Sequence, residues 1–304
     1  MSTRLRAMDI GANLLDDMFA GVYRGKRLHE PDLAFVLQRA AEAGVDKIVV
    51  TCSNEADAAR GALLAARFPH QVRSTMGIHP TEASGATEGW PERLLELHAQ
   101  HGDAIVAVGE AGMDADRVSF APLDVQRRVF AQHFSLCERT GLPMFIHARG
   151  CHDEVVGVIS EHRAQLVGGG VVHSFDGSMA HMHALVDLGL HVGINGCSLR
   201  TADNLAVARA VPAEWLVVES DAPWCSLKPT HASHAFNAVG ASPYPRVKKD
   251  KLAGSEGQAM VRDRNEPTAC VEVLGVLASL RGVPVDELAQ QVYANSTRLF
   301  RWPS

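Results

Sequence analysis

Eight times between residues 7 and 219, a short apolar run rich in β-branched residues is followed by a helix or loop, most often by apolar positions at helical spacing. The runs fall at residues 7–10, 46–51, 72–78, 104–108, 143–146, 170–172, 191–194 and 215–219. Parallel strands need a crossover of about a dozen residues, usually a helix, so this alternation predicts βαβ units. Eight such units suggest a closed TIM-like (β/α)8 barrel; an open doubly wound sheet is the alternative, and it requires the strand order to reverse. A length of 304 residues suits one barrel domain over 1–304. Residues 222–265, rich in Pro, Gly, Ser and charge, form a long loop or lid. Two C-terminal helices are expected within 267–300, the second entered through Pro284 with Asp286 and Glu287 in its first turn.

The first polar residue after each run is Asn13, Cys52, His79, Glu110, His147, His173, Asn195 or Asp221. In a barrel these positions share the C-terminal rim, where such enzymes carry their catalytic groups. Glu110 follows the run 104–108 in a loop of small residues, where a carboxylate with two oxygens can bridge a pair of ions. Two imidazoles (His147, His173) and two carboxylates (Glu110, Asp221) suit Zn²⁺, Mn²⁺ or Mg²⁺ in a hydrolytic site. Singly, each has a structural explanation: either histidine as a hydrogen-bonded interior residue, Glu110 or Asp221 as a cap. His79, in GIHP, reads as a ligand, a phosphate contact or a turn residue.

A net charge of −6 and a pI near 6.2 exclude a protein that coats nucleic acid by bulk electrostatics. A polyanionic substrate must then be met by metal ions or by placed cations such as Arg24, Lys26, Arg149, Lys248, Lys249 and Lys251. The six cysteines form no CxxC pair, which favours reduced, inert thiols in an intracellular protein of cytoplasm or nucleus. Arg4 and Arg6 leave mitochondrial import open, although the first strand begins by Ala7. No apolar window reaches the roughly 18 residues of a membrane span.

GIHP, GEAGMD, MFIHAR, VVHSFDG, GINGCS, ESDAPWC and RNEP occur in this order. With them the chain resembles the TatD family of metal-dependent deoxyribonucleases from about Asp9 to its carboxyl terminus. The resemblance implies a TIM-like barrel that hydrolyses DNA phosphodiesters, often 3′ to 5′, in DNA repair or DNA degradation. It implies Glu110 as the bridging carboxylate, His147 and His173 as imidazole ligands, and Asp221 as a ligand that orients the attacking water. It also implies His79 as a contact to the scissile phosphate, with Asn265 and Glu266 anchoring the long loop. Arg149 and Asn195 are further expected substrate contacts. Many members open with D-x-H-x-H, whereas this chain has Asp9, Gly11 and Asn13 in the DIGxNL opening of one branch. One ion is then expected to be bound tightly and a second loosely, completed by Asp9, Asn13, water or substrate. The expected partner is DNA, single-stranded or at a 3′ end, met by a monomer.

The same ligands suit small amides, lactones or phosphate esters, and an inactive scaffold is a third reading. Cations gathered on one rim favour nucleic acid; a closed neutral pocket favours a small substrate.

Overall fold

The computed structural model describes residues 5–237, 240 and 242–302; Arg4 lies outside them. Eight strands, β1 (Ala7–Ala12), β2 (Val45–Val50), β3 (Val72–Met76), β4 (Ile105–Asp114), β5 (Met144–Arg149), β6 (Gly170–Val172), β7 (His191–Ile194) and β8 (Leu216–Val218), form one parallel sheet in sequence order. The order never reverses, so the doubly wound alternative falls. Closure occurs just past β8, where the Asp221 N–H donates to the Gly11 carbonyl (2.9 Å) and the Asn13 N–H to the Ala222 carbonyl (2.7 Å). Asp9, fully buried, ties the same join by accepting from the Ser220 N–H (2.9 Å) and hydroxyl (2.5 Å).

Helices α1 (Leu33–Ala43), α2 (Glu55–Arg67), α3 (Trp90–His101), α4 (Leu123–Thr140), α5 (His152–Glu161), α6 (Met179–Asp187) and α7 (Ala202–Ala210) return the chain between strands. Along each strand successive side chains alternate between interior and exterior. Met8, Ile10, Val49, Ala107, Phe145, Val171 and Val217 fill the interior, joined by Tyr293, Leu299, Phe300 and Trp302. Their neighbours Ala7, Ile48, Val50, Met144, Ile146, Val172, Leu216 and Val218 pack outward on the helices. Burial on both faces explains why the strands read as apolar runs rather than as an apolar–polar alternation. After α8 (Ala269–Arg281), α9 (Val285–Leu299) leads into the aromatic residues that close one end of the barrel.

The fourth and fifth strands run further than their sequence patterns predict. Pairing of β4 with β5 resumes after a register shift between Val108 and Ala111 and continues to Asp114 opposite Arg149. Glu110 therefore lies within a strand and not in a loop, and so do His147 and Arg149. Two glycines permit this. Gly109 and Gly112 hold φ of +147° and +148°, and a Cβ would come within 2.3 Å of the Phe145 carbonyl oxygen at one and 1.9 Å of the His147 carbonyl oxygen at the other.

The stretch after Asp221 carries short 3₁₀ turns and a two-residue ladder that pairs Arg246–Val247 with Met260–Val261. Its end is pinned by a buried ion network. Arg264 donates to both carboxylate oxygens of Asp32 (2.7 and 2.5 Å), and Arg39 donates to both of Glu266 (2.9 and 3.0 Å). Arg264 also reaches Glu266 at 3.1 Å, and the side chains of all four residues are inaccessible to solvent. Asp32 precedes α1 at the capping position yet makes no side-chain cap, because its carboxylate is spent on Arg264. Between the two network residues, Asn265 donates its amide to the Ser220 carbonyl (2.8 Å) and its N–H to the Pro223 carbonyl (2.9 Å). It thereby brackets the turn that carries Asp221.

Candidate metal centre

His147 and His173 each stand two residues beyond an interior side chain, Phe145 and Val171, so the strand period aims both imidazoles into the barrel mouth. Glu110 arrives from β4, its N–H held by the Cys52 carbonyl (3.1 Å), and His79 from the loop after β3, its N–H held by the Ser53 carbonyl (2.8 Å). The four side chains meet at one oxygen. Glu110 Oε1 lies 2.8 Å from His147 Nδ1, 2.8 Å from His173 Nε2 and 3.5 Å from His79 Nε2.

Each strand histidine is aimed from behind by a second carboxylate. His147 Nε2 meets Asp114 Oδ2 at 3.1 Å, and His173 Nδ1 lies 3.4 Å from Glu219 Oε1. The hydrogen bond to Asp114 fixes the His147 tautomer and makes its inward nitrogen more basic, whereas Glu219 acts on His173 through its nearby charge. Burial acts to raise the pKa of Glu110, but the His173 and His79 charges and the hydrogen bonds from His147 and His173 outweigh it and hold the group well below the usual carboxylate range. Burial likewise opposes protonation of His173, while Glu110 and Glu219 raise its pKa well above normal. At His79 burial dominates and lowers the pKa.

Donor atoms of His79, Glu110 and His147 all lie within 4.8 Å of one another, and the set of imidazole nitrogens and carboxylate oxygens fits a divalent cation. Binding one would displace protons from the imidazoles. Asp221 faces the same cleft. Burial raises its pKa to about 6, and its carboxylate accepts from the Asn13 amide (2.8 Å) and the Cys225 thiol (3.1 Å). The Thr51 hydroxyl in turn donates to Asn13 Oδ1 at 2.7 Å, so a relay of three side chains sets the orientation of Asp221.

The cleft has a volume of about 600 Å³ and brings together Glu110, His79, His147, His173, Asp221 and Arg149. Arg60, Arg117 and Arg200 join Arg149 on its walls, Arg60 paired with Asp57 at 3.1 Å and Arg117 lying 3.7 Å from Asp114, with Asp16 and Asp17 at the edge. Of the cations expected beside the substrate only Arg149 lines this cleft, while Arg24, Lys248 and Lys249 line a neighbouring cavity. Two other expected contributors, Asn195 and Asp9, are also elsewhere. Asn195 is fully buried with both ends of its amide engaged, donating to Ser174 Oγ (2.9 Å) and Glu219 Oε1 (3.1 Å) and accepting from the Cys197 N–H (2.8 Å). It supports Glu219 and does not line the cleft. Asp9, named as a possible completion of a second ion site, spends its carboxylate on Ser220 instead. Cys197 and Cys225 do line the cleft, so these two thiols are not buried filler.

Glu219 and Asp114 escaped the sequence reading. Glu219 ends the apolar run 215–219 and reads as part of it, although it follows Val217 at the spacing that separates His173 from Val171. Asp114 closes GEAGMD, and its role depends on a strand extension that the small residues conceal.

The model of the TatD-related DNase family matches residues 9–301. The chain belongs to that family. It is 37% identical to the deoxyribonuclease Tat-D of Schizosaccharomyces pombe over 303 residues, which covers 97% of this chain and 96% of the relative. It is 30% identical to the 3′-5′ ssDNA/RNA exonuclease TatD of Pectobacterium parmentieri, over 96% of this chain and 98% of that one. Among solved structures, a TatD family hydrolase from Entamoeba histolytica superposes with a TM-score of 0.90 at 30% identity, with complete coverage of both chains.

Within the TatD family this chain carries Gly11 where the D-x-H-x-H opening places its first histidine. A Cβ at Gly11 would stand 2.6 Å from Glu219 Oε2 and 2.8 Å from Phe145 Cζ. The Glu219 carboxylate thus occupies space that a larger first-strand residue would need. Glu219→Gln should lower turnover about 10- to 100-fold, the usual cost of losing an outer partner of a metal ligand. Titrating activity against added metal is the check, and unchanged metal affinity and turnover would show that His173 needs no such support.

Proposed function

We propose that the chain is a metal-dependent deoxyribonuclease that cleaves single-stranded DNA from the 3′ end and serves in DNA repair or DNA degradation. One observation carries this reading: a carboxylate held among three imidazoles, with Asp221 in the same cleft, lies between walls bearing four arginines. Glu110, His147, His173 and Asp221, with His79 beside them, are the residues that would hold a divalent ion. When bound, the ion supplies the Lewis acidity, acidifying water and neutralising charge on the phosphate. Asp221, kept in one orientation by Asn13, takes a proton from the attacking water as the water oxygen bonds to phosphorus. The bond from phosphorus to the sugar oxygen breaks, and that oxygen leaves as a hydroxyl after taking up a proton. Arg149, 3.6 Å from Asp176, is positioned to meet a non-bridging phosphate oxygen, a task for which a guanidinium is well shaped. Arginine-lined walls suit a polyanion better than a small neutral amide or lactone.

Names carried by the relatives support the substrate class and its polarity: deoxyribonuclease for the fission-yeast protein, 3′-5′ ssDNA/RNA exonuclease for the bacterial one. Among the described residues no helix is long and apolar enough to cross a membrane. The six unpaired cysteines favour an intracellular, reducing compartment.

The test is cleavage of 5′-labelled single-stranded DNA by metal-stripped protein, with Mg²⁺, Mn²⁺ or Zn²⁺ restored and Asp221→Ala as control. A ladder that shortens from the 3′ end, requires metal and vanishes in the control is expected. Intact DNA with all three ions would sink the reading.

A further inference from the structure

Trp224 is half exposed, at 50%, three residues after Asp221. Its backbone N–H donates to the Asp221 carbonyl at 2.9 Å, so the turn from which the indole projects is tied to the one that carries the Asp221 carboxylate. It lines the metal-centre cleft and also a second cavity of about 610 Å³. The second cavity carries the exposed cations Arg24, Lys248, Lys249 and Arg262, with the exposed acids Asp250 and Asp263 among them. Tyr23 adds another aromatic wall there, with Lys249 Nζ 4.7 Å from its ring centre.

Along this path the chemistry alternates. Arginines line the metal-centre cleft, Trp224 with Asp16 and Asp17 forms the divide, and a second group of cations lies beyond. The carboxylates on the divide repel a phosphate there, whereas an exposed indole offers a base a face on which to stack. Phosphate, base, phosphate is the order in which a single strand would meet these groups. A base paired in a duplex is already stacked and is not available to Trp224.

Resting on the nuclease reading above, we propose that Trp224 stacks an unpaired base next to the scissile phosphate. The cavity bearing Lys248 and Lys249 then holds the backbone further along the same single strand. Trp224 is a specificity-determining residue that selects unpaired ends, and the second cavity makes affinity depend on strand length.

The experiment is fluorescence anisotropy of labelled oligothymidylates, two and twelve nucleotides long, with full-length protein in EDTA so that nothing is cleaved. Trp224→Ala should weaken binding of the twelve-mer about tenfold or more, and Trp224→Phe should restore most of it. Lys248→Ala with Lys249→Ala should weaken the twelve-mer and flatten its salt dependence, yet leave the dinucleotide unchanged. All these side chains are exposed, so the variants should keep the wild-type circular dichroism. Wild-type affinity in Trp224→Ala, or equal losses for both lengths in the lysine variant, would overturn the proposal. If Trp224→Ala bound single strands in EDTA, and cleaved them once metal was restored, as well as wild-type protein does, this proposal would fall and the nuclease reading would stand. Failure of wild-type protein to bind or cleave any single strand would remove the nuclease reading first, and this proposal with it.

Discussion

Glu110→Gln is expected to reduce cleavage by about a thousandfold or more, beyond the 10- to 100-fold typical of an outer partner, and to strip the protein of tightly held metal. The amide is nearly the same size, so the change is one of charge and not of packing. Glu110 Oε1 receives His147 and His173 at 2.8 Å each and faces His79 at 3.5 Å. An amide nitrogen at that point would meet imidazole N–H groups with no negative charge to offer, and no oxygen pair would remain to bridge ions. Metal content by mass spectrometry and turnover should fall together. Retention of one equivalent of metal with wild-type turnover would mean that Glu110 only braces the histidines.

The second large effect is on stability. Asp32, Arg39, Arg264 and Glu266 are two acids and two bases with no solvent access, so their charges cancel within the protein. Glu266→Gln leaves an uncompensated positive charge there, and breaking a buried pair in this way costs about 3–5 kcal/mol. The melting temperature should drop by roughly 5–10 °C. Replacing Glu266 and Arg39 together by apolar residues of similar volume should cost less than the single change, because no charge is stranded. A single variant that melts with the wild type would show that water reaches the network. Because Asn265 lies between Arg264 and Glu266 and brackets the Asp221 turn, the single variant should also lose activity below its melting point. Loop anchoring and catalysis are then one mechanical problem.

Much of the barrel was written in the chain. Runs such as DKIVV and PMFI are apolar on both faces because parallel strands are covered by helices outside and by one another's side chains within, and that demand leaves a local, readable pattern. The residue type that follows each run, His147 after MFI and His173 after VV, is equally local, so the ligand candidates were legible before any coordinates. The neighbours of those candidates were not. That Glu219 backs His173, that Asp114 backs His147, and that Asn195 supports Glu219 while turning away from the cleft depend on which strands lie side by side and how far their ladders run. GEAGMD looks like a loop because small residues carry no strand signal; it is a strand because Gly109 and Gly112 let β4 lie against β5 more closely than any side chain would allow. Composition and period record what each segment buries. Only the packing of β3 to β6 side by side decides which polar groups share the Glu110 oxygen, and only closure of the barrel brings residue 221 against residue 11.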